Sequence, residues 1–429
     1  MNDSLLKKVR TPAYLFSIDE LLARLSMIRT SLGPSVRIVF AVKANPFLIR
    51  PLLSAVDGFE VCSPGEVRLC LKAGVPPEKL VLSGVNKEAA VYTDFVRILL
   101  DAPVYTVESE QQMHLLNEAA ARFGTRLRVL LRRSGGNQFG MDDETLCHLL
   151  GMRERFPGLC ITGFQQYTGT QKRPGQILRE IDRFDTFLCR MRSDFGAHEA
   201  HPETDTPDAF LSEAEFGPGL PVSYFVQEDE VPDEEVLGQL AGHIANMHFP
   251  GKLTLEIGRF LCAFCGYYLT TAADIKNSDG ASYVITDGGI HQMNYYHQFM
   301  GMKLPHMRLL RSGSAASAHP GRQNASGSTC GCKEAEDELR HYTVCGSLCT
   351  ASDILVRDFP TPALETGDVL VFERVGAYSV TEGISLFLSR DLPGVYLSEG
   401  DRIMRVREIT RTENLNDSVE EDMNYGRTD

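Results

Sequence analysis

The sequence predicts an α/β protein: a (β/α)8 barrel followed by a mostly β C-terminal domain. Three observations carry this. The length of 429 residues leaves room for two or three domains. Over the first two-thirds, short β-rich runs alternate with longer helical patterns, eight runs in all, which fits a closed barrel better than an open doubly wound sheet. After about Phe260 the texture changes to short alternating strands separated by turn residues.

The eight barrel runs are Ile38–Val42, Phe59–Cys62, Leu80–Ser83, Val104–Val107, Leu127–Leu131, Ile161–Gln165, a weak one near Glu215–Phe216, and Leu253–Glu256. Amphipathic helices fall between them, such as Gly65–Ala73 and Glu108–Phe123, the second with apolar residues at i, i+3 and i+4. The β domain reads as Tyr267–Ile275, Ser282–Thr286, His341–Val344, Val369–Glu373 and Arg402–Glu408. The expected division is an N-terminal segment 1–34 packing with the β domain, a barrel 35–260, a β domain 261–412, and an acidic tail 413–429. Two Ser/Gly-rich or acidic stretches, 312–337 and 197–207, read as exposed insertions.

The net charge is −14, and it is uneven. Ser193–Gly251 holds 13 acidic residues and no Lys or Arg, and the tail from Glu413 carries a net −5. The remainder is slightly basic. This balance argues against nucleic acid and anionic membrane as partners. No apolar run reaches the ~18–20 residues of a membrane helix, and the first residues lack an export signal, so a cytoplasmic enzyme with reduced thiols is expected. The eleven cysteines show no repeated CxxC pattern. Cys330-Gly331-Cys332 with His319 lacks a second ligand pair, so no metal site is expected.

Barrel active sites form at the C-terminal ends of the strands. There the first strand ends on Lys43, where desolvation is expected to lower the amine's pKa and free it for attack on a carbonyl. A lysine snorkelling from the rim is the plainer alternative. Strand five leads to Arg132, strand six to Tyr167-Thr168-Gly169-Thr170, strand seven to Gly217-Pro218-Gly219, and strand eight to Glu256-Ile257-Gly258-Arg259. Small residues, a hydroxyl and an arginine are what a phosphate site needs. A lysine, a phosphate cradle and a carboxylate together match pyridoxal 5′-phosphate, with Glu256 able to pair with the pyridine nitrogen.

The sequence resembles the fold-type III PLP-dependent decarboxylases, the diaminopimelate, ornithine and arginine decarboxylase family. The resemblance runs from Thr11-Pro12-Ala13-Tyr14-Leu15 to about Leu397. It rests on Ala41-Val42-Lys43-Ala44-Asn45, Phe59-Glu60-Val61-Cys62-Ser63-Pro64-Gly65-Glu66 and Gln138-Phe139-Gly140-Met141. It continues through Glu256-Ile257-Gly258-Arg259, Asp287-Gly288-Gly289, Gly346-Ser347-Leu348-Cys349 and Gly376-Ala377-Tyr378. It implies an alanine-racemase-like barrel with Lys43 bonded to PLP. It also implies that Glu256 sits on the pyridine nitrogen, and that Thr170, Gly217, Gly219, Gly258, Arg259 and Tyr378 surround the phosphate. Tyr167 falls where the family has a stacking histidine, and Arg132 is a supporting polar residue. Cys349 matches the family's proton donor, contributed by the neighbouring subunit of a homodimer. Asp287, Thr350 and Asp353 fall at the substrate end.

The sequence departs from the family at that end. Thr350 stands where an acidic residue follows the cysteine, and a neutral hydroxyl cannot pair with a distal ammonium. Gln165 and Tyr167 replace two histidines, and Gly383–Ser389 replaces the usual Phe-Asn ending. The motifs Gln138-Phe139-Gly140-Met141, Tyr167-Thr168-Gly169-Thr170-Gln171 and Leu348-Cys349-Thr350 resemble the butirosin-pathway branch that acts on a carrier-bound glutamyl group, and the citryl-diamine decarboxylases of siderophore pathways are also similar around Cys349. The expected substrate is therefore an amino acid with a derivatised or carrier-bound far end, with free diaminopimelate as the alternative. A racemase on the same fold is disfavoured by Glu256 and Cys349. A non-catalytic homologue is disfavoured by retention of Lys43, Glu256, Arg259, Cys349 and Tyr378.

Overall fold

Eight parallel strands close on themselves: β2 (Arg37–Ala41), β3 (Gly58–Val61), β4 (Leu80–Leu82), β5 (Val104–Val107), β6 (Leu127–Arg133), β7 (Leu159–Tyr167), β8 (Glu213–Gly217) and β9 (Lys252–Ile257). β9 returns to β2, with Glu256 level with Val39. The weak seventh run is a full strand, held between β7 and β8's other neighbour β9 by continuous parallel register. This computed structural model describes residues 1–196, 210–296, 298–312 and 339–418. Most of the two expected insertions, the Cys330/Cys332 pair with His319, and the end of the acidic tail lie outside those residues.

The strands are short apolar runs buried on both faces, as a parallel barrel sheathed in helices requires. Several helices start where a side chain caps them. Ser63 accepts from the Glu66 amide and opens the helix Pro64–Ala73. Ser109 accepts from the Gln112 amide, so the helix that follows β5 begins at Glu110 rather than at Glu108. Glu108 stays outside that helix and is buried at the barrel mouth.

The second layer is a nine-stranded sheet. Its middle is β1 (Ala13–Ser17), from the N-terminal segment. β1 pairs antiparallel with β10 (Gly266–Ser278) and parallel with β16 (Gly394–Glu399). The other strands are β11 (Ala281–Thr286), β12 (Met307–Leu310), β13 (Arg340–Cys345), β14 (Ile354–Thr361), β15 (Val369–Glu373) and β17 (Arg402–Arg407). Four of these, β1, β12, β14 and β16, are not among the strands the sequence predicts. β1 is buried at all five positions and so lacks alternation. β14 contains Pro360, which the sheet tolerates because β14 is an edge strand. Among the described residues no helix is long and apolar enough to cross a membrane.

Candidate active site

The turn after β2 carries Lys43 into the mouth of the barrel. Its Nζ donates to Glu256 Oε1 at 2.8 Å and to Glu60 Oε2 at 3.0 Å, and lies 3.8 Å from Cys62 Sγ. Burial works to lower the Lys43 pKa, but Glu256 and then Glu60 outweigh it and hold the amine well above its ordinary value. This corrects the expectation of a lysine neutralised by desolvation: the strand-end lysine is an ammonium held between two carboxylates.

Those carboxylates are displaced in opposite directions. Glu60 is buried, yet Lys43 holds it down to about 2. Burial and the neighbouring Glu60 push Glu256 well above the usual range. Glu215, deeper on β8, is pushed up to about 7 by burial and Glu60. Gln165 Nε2 bridges Glu215 Oε1 at 2.8 Å and Glu60 Oε1 at 3.4 Å. The sequence reading gave no role to Glu60 or Glu215. The available signal was an acid inside an apolar barrel strand, Phe59-Glu60-Val61 and Ala214-Glu215-Phe216.

The cleft around Lys43 has about 30 Å³ of space open to a water-sized molecule and is lined by Tyr167, Thr170, Gly219, Glu256, Gly258, Arg259 and Tyr378, with Lys43 itself. The Tyr167 ring centroid lies 5.4 Å from Lys43 Nζ. Arg259 donates through Nε to Thr170 Oγ1 at 3.2 Å and through Nη1 to Tyr224 Oη at 2.8 Å. Its guanidinium lies 4.4 Å from the Tyr378 ring centroid. The Tyr378 amide donates to Ala44 O at 2.7 Å, and Asn45 Nδ2 to Gly376 O at 2.8 Å, fastening the β domain to the Lys43 turn. Gly219 has φ +64°, and a Cβ there would lie 2.1 Å from Gly169 O, so only glycine fits this wall.

A phosphorylated aldehyde fits this donor set. The Lys43 nitrogen, a nucleophile once deprotonated, lies in the same cleft as a forked cation, a hydroxyl and glycine backbone, and a buried carboxyl stands beside it. Two residues expected at the cofactor are not part of the cleft lining. Arg132 is buried at the end of β6 and donates to Glu108 Oε1 at 3.0 Å. Gly217 makes room: a Cβ on it would come within 2.5 Å of Tyr167 Cδ2.

The substrate-end residues group apart from this cleft. Cys349 is exposed in the loop between β13 and β14. Asp353 fixes that loop, accepting from the Ile290 amide at 2.9 Å and the Leu348 amide at 2.7 Å. Asp287 accepts from Thr11 and Thr270 hydroxyls, both at 2.7 Å, and from the Thr271 amide at 2.9 Å. Both carboxylates are thus engaged within the β domain and with β1's approach. The Thr350 hydroxyl pairs with that of Ser352 at 3.0 Å.

The family described as "Pyridoxal-dependent decarboxylase, C-terminal sheet domain" matches residues 59–376. The chain is 26% identical to an L-glutamyl-[BtrI acyl-carrier protein] decarboxylase of Niallia circulans, over 91% of this chain and 89% of that protein. It is 24% identical to a diaminopimelate decarboxylase of Zymomonas mobilis, over 94% and 91% of the two chains. In fold it resembles the diaminopimelate decarboxylase of Helicobacter pylori, solved with L-lysine, with a TM-score of 0.78 at 22% identity over 96% and 98% of the two chains.

Proposed function

This chain belongs to the pyridoxal-dependent decarboxylases of the ornithine, diaminopimelate and arginine group, and from that premise we propose which amino acid it acts on. The substrate is an amino acid whose far end is derivatised or carried on a protein, and the bond broken is the one to its α-carboxylate. The observation that carries this reading is Thr350, a neutral residue directly after the exposed Cys349, where a distal ammonium would need a carboxylate. Similarity along most of its length to a decarboxylase of a carrier-bound glutamyl group supports it. Free diaminopimelate is the second reading, favoured by a nearly equal likeness to enzymes of that name.

Pyridoxal 5′-phosphate supplies an electron-withdrawing ring that accepts the electrons left when carbon dioxide departs. The chain's residues do the rest. Lys43 Nζ is the nitrogen that bonds the cofactor. Glu256, beside Lys43, is placed to hold the pyridine nitrogen. Arg259, Thr170, Gly219, Gly258 and Tyr378 take the phosphate, and Tyr167 covers the ring. Cys349 lies outside the cleft of its own chain, so we assign its thiol, as proton donor at Cα, to the site of a second copy. A homodimer with shared active sites follows from that assignment.

A carbon-dioxide-release screen over free, acylated and carrier-bound amino acids tests the reading. Release from derivatised substrates supports it. Turnover of free diaminopimelate alone overturns the substrate class and leaves the decarboxylase intact.

A further inference from the structure

Glu215 has no part in the chemistry above, and its surroundings set it apart. It belongs to β8, level with Gln165 of β7 and Thr254 of β9, and is 2% exposed. One oxygen each of Glu60, Glu215 and Glu256 lies within 4.8 Å of the others. Lys43 pairs with Glu60 and Glu256, while the donor on Glu215 is the neutral Gln165 amide. Lys43 and then Arg132 act on Glu215 only from a distance, Lys43 being paired with Glu60 and Glu256 and Arg132 with Glu108. Three carboxylates this close cannot all ionise around one ammonium in a buried site, so at least one keeps a proton. Glu215, with no cation on it, is where it stays.

Two further observations bear on that proton. Gln165 Oε1 is buried without a partner, an acceptor available to a protonated neighbour or to water. Below Glu215, toward the N-terminal ends of the strands, lies a small cavity with about 40 Å³ of space open to a water-sized molecule. Its lining is mixed: Val and Leu side chains of the strands are joined by the polar groups of Glu215, Thr254, Arg37, Arg128, Lys79 and Glu213. That is room and partners enough for ordered water. Arg37 opens β2 and is exposed, so the cavity adjoins the face of the barrel opposite Lys43.

We propose that Glu215 holds a proton beneath Lys43 and exchanges it with solvent through this lower cavity, on the side of the barrel away from substrate. The inference rests on Lys43 being the cofactor lysine. Before its nitrogen can bond a carbonyl, the Lys43 ammonium must lose a proton. That proton passes to Glu60 Oε2, the Glu215 proton leaves to cavity water, and Glu215 ends ionised. One proton leaves the cluster for each amine freed, and the negative charge moves from Glu60 to Glu215. Glu215 is a positioning residue: it touches neither cofactor nor substrate.

The test is the number of protons exchanged when pyridoxal 5′-phosphate binds, from calorimetry in buffers of different ionisation enthalpy between about pH 6 and pH 8. Wild type is expected to show a step of up to about one proton per chain across that range. Glu215→Gln should still bind the cofactor and lose the step, and Glu215→Asp should keep it. A step that persists in Glu215→Gln overturns the proposal. The infrared spectrum of the cofactor-free chain is a second reading. A protonated-carboxyl band lost in Glu215→Gln supports the assignment, and an unchanged band overturns it. Failure of the cofactor-lysine reading is seen separately, as unaltered cofactor binding by Lys43→Ala.

Discussion

Gly217 and Tyr167 pack so closely that one added methyl group would fall 2.5 Å from the ring carbon Cδ2. They face each other across neighbouring strands, in register at the ends of β7 and β8. Tyr167 is bulkier than the histidine of the family pattern, and the absence of a side chain at 217 is what lets its ring lie beside Lys43. Gly217→Ala should push the ring out of place. The cost to stability is expected at about 1–3 kcal/mol, as for other overpacking substitutions. Titration of the apo protein with pyridoxal 5′-phosphate should show weaker binding. Unchanged affinity would mean that Tyr167 does not contribute to the cofactor site.

Lys43→Ala should remove both the near-visible absorbance of the holo protein and all turnover. It also takes away the one ammonium that, among the described residues, pairs with Glu60 and Glu256. Glu60, held low by Lys43, is then expected to rise and bind a proton. The variant should therefore remain folded at neutral pH, with its carboxyls neutralised by protons. Circular dichroism separates this from a collapse of the barrel mouth.

How much of this was legible in the sequence differs between the two layers. Each barrel strand announces itself as a short apolar run, and even the weak run at Glu215–Phe216 is a strand because register on both sides leaves it no alternative. The β sheet was read only in part. Its central strand, β1, comes from residues 13–17, and its pairing with β10 and β16 bridges more than 240 residues of sequence, which no local pattern encodes. In the site, Lys43, Thr170 and Arg259 are visible as polar residues just after strands, and Glu256 as the acid that ends the eighth run. Glu60 and Glu215 lie within strands, where alternation alone assigns them to packing. The charge on Lys43 was misjudged for the same reason: burial can be read from a sequence, whereas the two carboxylates that reverse its effect come from β3 and β9.

Asp353 holds the Cys349 loop by accepting two backbone amides, Ile290 and Leu348. The loop has no slack, since a Cβ on Gly346 would sit 2.4 Å from Gly289 Cα. Asp353→Ala leaves two donors without an acceptor and should cost about 1–3 kcal/mol. If Cys349 is the proton donor, kcat should fall while cofactor absorbance and affinity stay at wild-type values. Alkylation of Cys349 should become faster as the loop loosens. A loss of cofactor binding instead would place the effect of Asp353 in the barrel.

Stability against pH gives an independent measure of the buried acids. Glu60 is held at about 2, below its unfolded value, so its contribution is present above about pH 4.5 and is lost as pH falls toward 2. Glu215 has the opposite sign. Its folded carboxyl titrates at about 7, so between about pH 4.5 and pH 7 the unfolded chain is ionised there while the native one keeps its proton. Native stability therefore falls with rising pH across that window, by at most about 3–4 kcal/mol from this group. Glu215→Gln removes the effect. The variant should gain on wild type as pH rises from about 5 to about 7.5, read as the difference in urea midpoints at the two ends. Glu256, raised by the same burial, remains in the variant, so the slope should shrink without vanishing. A difference in midpoints that is the same at both pH values would mean that Glu215 ionises like a solvent-exposed carboxylate, and that the proton of the cluster resides on Glu256.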